Sequence, residues 1–244
     1  MTDAMKLTEQ QVNHYQEHGY VLLGRILMDD DVNELLSEEA RIRTADSRHG
    51  RQSAYKTLFF HQLCHSSEPV RRICTQGAHI SLVKQLLGPN VCLEWNQLVT
   101  KFPDVGSGRS EFPWHQDDGY GTLEPTGITV WVALCDVDES NGCVWLVPGS
   151  HKSGLKPHNP ADAENWFQEV AVEDDGVPAR LKAGEAVAFS GLTLHRSKLN
   201  HTDNPRFGFF MRYCEPDTVK VNENNQPVLE SAHAWMVAGQ AHLA

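Results

Sequence analysis

The sequence predicts a mainly β protein with flanking α-helices, its strands arranged as a sandwich or jelly roll. Helical periodicity is confined to roughly the first ninety residues. From residue 91 onward the chain breaks into short runs rich in Val, Ile, Phe and Trp. Gly, Pro, Asn and Asp separate those runs, as turns between strands require. Many short strands of this kind suit two antiparallel sheets packed on each other. All 244 residues are expected to form a single domain, with a helical part at about 1–90, a β core at about 91–215 and a tail at 216–244.

Thr8, Glu9, Gln10 and Gln11 have the form of a capping box, and Gly19 is placed to end the helix they open. Tyr20 to Leu23 reads as a short strand. Asp29, Asp30 and Asp31 set negative charge at the start of a second helix, which runs to about Thr44 with Val32, Leu35, Leu36 and Ala40 on one face. Residues 45–57 are polar and read as loop. Two more helices are expected at about 68–75 and 78–87, the second stopped by Gly88, Pro89 and Asn90. Val91 to Phe102 is long enough and rich enough in β-formers for a full strand, and a Gly/Ser loop follows at 104–111. Ile128 to Val137 is another strand, joined by the turn Glu139 to Gly142 to a third, Cys143 to Val147. Residues 151–168 are a polar insertion without a strong period. Short strands are expected at about 169–173, 185–190 and 207–214, with Gly176, Pro178 and Gly184 as breaks. The tail past Pro216 mixes polar residues with His233, Trp235 and Met236 and shows no clear period.

Composition excludes several classes of function. The formal net charge is −11, which argues against nucleic acid or an anionic membrane as partner, since both need basic patches. No stretch approaches the length of apolar residues a membrane span requires. Six cysteines lie scattered with no C-x-x-C pair, which reads as thiols in a reducing compartment. The first eleven residues lack the apolar run of a secretion signal. A cytoplasmic protein acting on a small molecule is the expectation, and its oligomeric state is not encoded in any pattern.

The chemistry centres on His115, Gln116 and Asp117. In extended backbone, residues two apart face the same side, so an imidazole and a carboxylate converge there on one point. A third neutral nitrogen would complete a two-histidine, one-carboxylate face, the ligand set suited to non-haem Fe(II) and O2. Spacing alone is weak: with 13 histidines in the chain, chance supplies about one His-x-Asp, and His201 with Asp203 is a second. Context separates them. His201 to Pro205 is a run of turn formers, whereas His115 follows Phe112, Pro113 and Trp114 after a Gly/Ser loop. For the third ligand His195 is favoured, because it follows the apolar run from Ala188 and a glycine; His151 is the rival. Arg206, at the start of the next apolar strand, is a candidate fork for the distal carboxylate of a 2-oxo acid.

With these residues assembled, the chain resembles the phytanoyl-CoA dioxygenase family of Fe(II)/2-oxoglutarate-dependent oxygenases. The resemblance runs from about Tyr20 to Cys214. It is carried by Trp114 to Asp117, by Thr129 to His151 with its Glu-Ser-Asn-Gly-Cys and Pro-Gly-Ser-His elements, and by His195 to Ser197 with Arg206. It implies a double-stranded β-helix core, the cupin-like jelly roll. It also implies that His115, Asp117 and His195 hold Fe(II), that Arg206 grips 2-oxoglutarate with help from Ser197, and that Gln97 and Trp131 line the cosubstrate pocket. The activity implied is hydroxylation of a small organic molecule with O2, as 2-oxoglutarate is oxidised to succinate and CO2. A carboxylate at Asp117 favours hydroxylation over halogenation. Arg109, Asp118, Tyr120 and Arg212 flank these motifs and are the candidates for substrate contact. Two other readings compete: a catalytically silent jelly-roll module that keeps the metal shell, and a Zn2+ hydrolase using the same ligands.

Overall fold

Thr8 opens the first helix as a capping box. Its hydroxyl accepts from the Gln11 backbone N–H and the Gln11 side chain accepts from the Thr8 N–H. Gly19, at φ 78°, ends α1 (Glu9–His18) in the left-handed region. The computed structural model describes residues 5–45, 57–104, 110–161, 167–222, 224, 226–231 and 235–238. β1 (Tyr20–Arg25) and α2 (Asp29–Ala45) follow, then β2 (Thr57–His61), α3 (Glu68–Gln76) and α4 (Ile80–Leu87). The long strand β3 (Val91–Lys101) leads to β4 (Phe112–His115), β5 (Thr122–Glu124), β6 (Ile128–Ala133) and β7 (Val144–Leu146). The polar insertion holds a 3-10 turn at Ser150–Ser153 and a two-residue ladder between β8 (Asn159–Pro160) and β9 (Gln168–Glu169). β10 (Val177–Pro178), β11 (Glu185–Ser190), β12 (His195–Ser197) and β13 (Arg206–Cys214) complete the core. The tail supplies β14 (Val219–Val221), β15 (Pro227–Ser231) and β16 (Trp235–Ala238).

The strands make a mainly β jelly roll. The larger sheet runs β1-β11-β6-β13-β3-β16, with β2 also paired to β3, and the smaller runs β10-β7-β12-β4; every pairing is antiparallel. Alternation explains how the larger sheet is covered on both sides. Val130, Val132, Phe209, Met211 and Tyr213 pack with Leu35, Ile73 and Leu82 of the helices. Their neighbours Trp131, Ala133 and Phe210 instead meet Val144 and Leu146 of the smaller sheet. The functional cavity opens in this second layer.

Two segments differ from the sequence reading, both for reasons of pairing. Residues 45–57 were expected as loop, yet Thr57 begins β2, which runs antiparallel to β3 from Thr57 opposite Lys101 to His61 opposite Gln97. The tail, without a period of its own, adds β14 beside β5 and β16 beside the start of β3. Edge strands borrow their order from the partner ladder, so short segments beside polar stretches can join a sheet without announcing it. No helix among the described residues is long and apolar enough to cross a membrane.

Candidate active site

His115 is the last residue of β4 and Asp117 the first of a 3-10 turn, Asp117–Tyr120. β12 lies beside β4 with His195 directly opposite His115, which brings their ring centroids to 4.1 Å. Asp117 Oδ1 stands 3.5 Å from His195 Nε2 and 3.9 Å from His115 Nε2. One ligand atom from each of the three falls within 4.8 Å of the others, the spacing of a metal site. All three are buried.

Hydrogen bonds behind the ligands orient them. His115 Nδ1 lies 2.8 Å from the Pro113 carbonyl and His195 Nδ1 2.9 Å from the Thr193 carbonyl. A carbonyl only accepts, so both Nδ1 atoms carry the proton and both Nε2 lone pairs face the site. The Thr129 hydroxyl donates to Asp117 Oδ2, leaving Oδ1 for the site. Burial, then the neighbouring His195, pushes His115 well below the ordinary imidazole value and keeps it neutral. Burial works to raise the Asp117 carboxyl, but His195, Arg212 and His115 outweigh it, and the group stays ionised. Two imidazoles, each with its Nε2 toward the site, and one carboxylate form the ligand face that suits Fe(II) with positions left over.

The ligands open into a cavity of about 240 Å3 that Gln97, Tyr120, Trp131, Ser197, Arg206 and Arg212 also line. Arg206 is 2% exposed. Its Nη2 donates to the Gly142 carbonyl at 2.9 Å, while Nε and Nη1 are buried without an acceptor. Its guanidinium carbon lies 5.3 Å from the Trp131 ring centre. Burial lowers Arg206 to about 10, so it remains charged at neutral pH. A buried guanidinium with two unanswered donors fits a carboxylate-bearing cosubstrate.

Of the remaining sequence candidates, Gln97 accepts from Trp95 Nε1 at 3.3 Å and pairs with His61 Nδ1 at 3.0 Å. The Tyr120 hydroxyl is engaged with the Gln168 backbone. Asp118 is buried behind Arg212 and accepts from its Nη2. Arg109 lies outside the described residues, as does His233 in the tail. The rivals are placed elsewhere: His151 packs against Gly19 and α1, and His201 is exposed in a loop.

Sequence reasoning missed four contributors. Thr129 holds Asp117, and His158 Nε2 accepts from the Gln116 N–H behind the motif. Lys101 lines the cavity with its ammonium bound to the carbonyls of Ser110, Ser197 and Lys198. Glu94 lines the far wall. Lys101 carried one readable signal, since it falls in phase with Gln97 on a strand otherwise apolar at its end.

A sequence model of the family described as phytanoyl-CoA dioxygenase (PhyH) matches residues 15–208. Peroxisomal phytanoyl-CoA dioxygenase of Rattus norvegicus is 26% identical over 237 residues, taking in 86% of this chain and 69% of its own. Among solved structures, the non-heme monooxygenase ThoJ in its apo form has a TM-score of 0.76 at 26% identity, over 94% of this chain and 84% of the other. The epimerase SnoN, in complex with Fe3+, alpha ketoglutarate and nogalamycin RO, has a TM-score of 0.73 over 93% of this chain and 95% of its own. At 22% identity that second likeness bears on the fold alone.

Proposed function

Because this chain belongs to the phytanoyl-CoA dioxygenase family, we propose that His115, Asp117 and His195 are its Fe(II) ligands and that it hydroxylates a small organic molecule. Membership makes it a non-haem Fe(II)/2-oxoglutarate-dependent dioxygenase, with O2 as the second cosubstrate. When bound, iron would activate O2, the oxidant, and 2-oxoglutarate would supply two electrons as it is oxidised to succinate and CO2.

The chain's own residues do the rest. His115 and His195 present Nε2, held by the Pro113 and Thr193 carbonyls, and Asp117 presents Oδ1, held by Thr129. Arg206 takes the distal carboxylate of 2-oxoglutarate on Nε and Nη1, with help from Ser197, which lines the same cavity. Trp131 and Gln97 confine the cosubstrate, and the apolar side chains of Val144, Phe189 and Phe210 keep water from that end of the cavity. Tyr120 and Arg212 stand on the substrate side; Asp118 acts through Arg212.

The observation that carries the reading is the pair of unanswered Arg206 donors in the same cavity as the three ligands. Fe(II)-dependent release of succinate from 2-oxoglutarate is expected to fall to background in His115→Ala and Asp117→Ala. Arg206→Gln is expected to raise KM for 2-oxoglutarate by about ten- to a hundredfold, the worth of charge-assisted bonds to a carboxylate. Turnover like the wild type in both ligand variants would overturn the assignment. Iron and 2-oxoglutarate binding without succinate release by the wild type would point instead to a silent binding module.

A further inference from the structure

The wall of the cavity away from Arg206 is built around an irregularity in β3. From Trp95 to Lys101 the strand alternates regularly: Trp95, Gln97, Val99 and Lys101 line the cavity, while Leu98 packs beneath the helices. Continuing that alternation backwards would turn Glu94 toward the helices and Leu93 toward the cavity. The opposite holds. Arg212 pairs with Trp95 and Tyr213 with Leu93, so Glu94 is an extra residue without a partner on β13. This bulge reverses the parity of the strand, keeps Leu93 in the helix-covered core and aims Glu94 into the cavity beside its neighbour Trp95.

A carboxylate in that position is costly to bury, and its surroundings do not fully satisfy it. Glu94 is 5% exposed. Its Oε1 lies 3.2 Å from Lys220 Nζ, an ammonium brought to the cavity by the tail strand β14. Its Oε2 lies 3.9 Å from Arg212 Nη1, too far for a hydrogen bond, and has no partner. Arg212 is bound from behind by Asp118. Two carboxylates and two cations thus make this end formally neutral; Asp118 Oδ2 and Arg212 Nε also lack partners, and Glu94, which lines the cavity, offers a free acceptor with an ammonium donor beside it. The rings of Trp95, Phe112 and Tyr120 line the same cavity.

We propose, resting on the dioxygenase reading above, that Glu94 receives a hydroxyl group of the primary substrate, and that the substrate is a neutral, hydroxyl-bearing small molecule with an apolar ring or chain against the aromatic wall. A hydroxyl donates one hydrogen bond and accepts others, which matches Glu94 Oε2 as acceptor and Lys220 Nζ as donor. An ammonium group would add a third cation beside Arg212 and Lys220. A carboxylate would meet the charges of Glu94 and Asp118. Glu94 is therefore a specificity-determining residue, and the bulge is the device that places it.

The test uses the full chain loaded with Zn2+ in place of iron and saturated with 2-oxoglutarate. Binding of three probes of one skeleton, cyclohexanol, cyclohexylamine and cyclohexanecarboxylate, is followed by ligand-observed saturation-transfer NMR. Cyclohexanol is expected to bind at least about tenfold tighter than the other two, the discrimination of one charge-assisted hydrogen bond. Glu94→Ala is expected to abolish that preference, and Glu94→Gln, which keeps shape and an acceptor but not the charge, to reduce it. Lys220→Met removes the close cation from Glu94 Oε1, its fold is checked by circular dichroism, and it is expected to turn the preference toward cyclohexylamine by uncovering the Glu94 charge. Tighter binding of the amine or the acid by the wild type, no binding of any probe, an undiminished preference in Glu94→Gln, or an unchanged order in Lys220→Met would each overturn the proposal. Calorimetric titration with 2-oxoglutarate on the same Zn2+-loaded protein keeps the two readings apart. Failure there removes the dioxygenase assignment, whereas normal 2-oxoglutarate binding with the wrong probe order removes only the role of Glu94.

Discussion

Lys101→Met probes the strut beneath the Arg206 end of the cavity, where the proposed function seats 2-oxoglutarate. Lys101 is 1% exposed, and its Nζ donates to the Ser110 carbonyl, to Ser197 O at 3.1 Å and to Lys198 O at 2.6 Å. Burial, then the Arg206 charge, pushes its pKa well below the ordinary lysine range, and the three carbonyls surround it as an ammonium requires. The side chain therefore ties β3 to the end of β12 and to the segment that enters β4. Methionine fills the same volume but donates nothing. Each carbonyl left buried without a donor costs about 1–3 kcal/mol, and the several kcal/mol of ammonium desolvation no longer incurred offsets part of the sum. The net loss is expected to be on the order of 3 kcal/mol, which moves a urea midpoint down by about 1 M for a chain of this size. Because Ser197 hangs from the same tie, KM for 2-oxoglutarate is expected to rise as well. Lys101→Arg is expected to fail similarly, since a planar fork cannot meet three carbonyls grouped around one nitrogen. Equilibrium urea unfolding and a 2-oxoglutarate titration decide it: an unchanged midpoint together with an unchanged KM in Lys101→Met would refute the reasoning.

Two further outcomes follow from single side chains. His79 is wholly buried, its Nε2 lies 2.8 Å from the Tyr213 hydroxyl, and burial lowers it from the ordinary 6.5 to about 4. The unfolded chain takes up this proton below about pH 6.5 and the folded one only near 4, so stability declines as pH falls through that window. The slope is about 1.4 kcal/mol per pH unit, and the whole is about 3 kcal/mol. Urea midpoints recorded from pH 7 to pH 4 are expected to flatten by one proton in His79→Gln; parallel curves would count against it. Gly208 lies under Trp131, and a methyl group there would collide with the indole that lines the cavity of the proposed site. Gly208→Ala is expected to cost about 1–3 kcal/mol by overpacking and to weaken 2-oxoglutarate binding, with calorimetry showing whether binding is untouched.

Much of the architecture was readable because strand and helix periods are local. The capping box at Thr8, the stop at Gly19 and the run of β-formers at Ile128–Ala133 need only neighbouring residues to be recognised. The limits were equally local. Thr57–His61 was hidden behind a polar stretch, and residues 169–173 contribute only the end of β9 rather than a strand of their own. His195 was placed at the end of a buried run, but its short strand β12 is defined by β4 and β7 on either side, not by its own composition.

The sequence by itself determined the kind of chemistry: a His-x-Asp pair in apolar context, a later histidine, an arginine on the following strand, and too little positive charge for a polyanionic partner. These follow from residue type and period, which short-range sterics impose. Tertiary structure alone decided which groups meet. The pairing of His195 with His115 joins segments eighty residues apart in a register set by the packing of both sheets. The donors of Lys101 find carbonyls nearly a hundred residues away. Glu94 faces the cavity only because a bulge reverses the parity that its position in the strand would otherwise dictate. A period of two tells which residues share a face, but the point where the period slips depends on the partner strand, and that partner is chosen by the whole core.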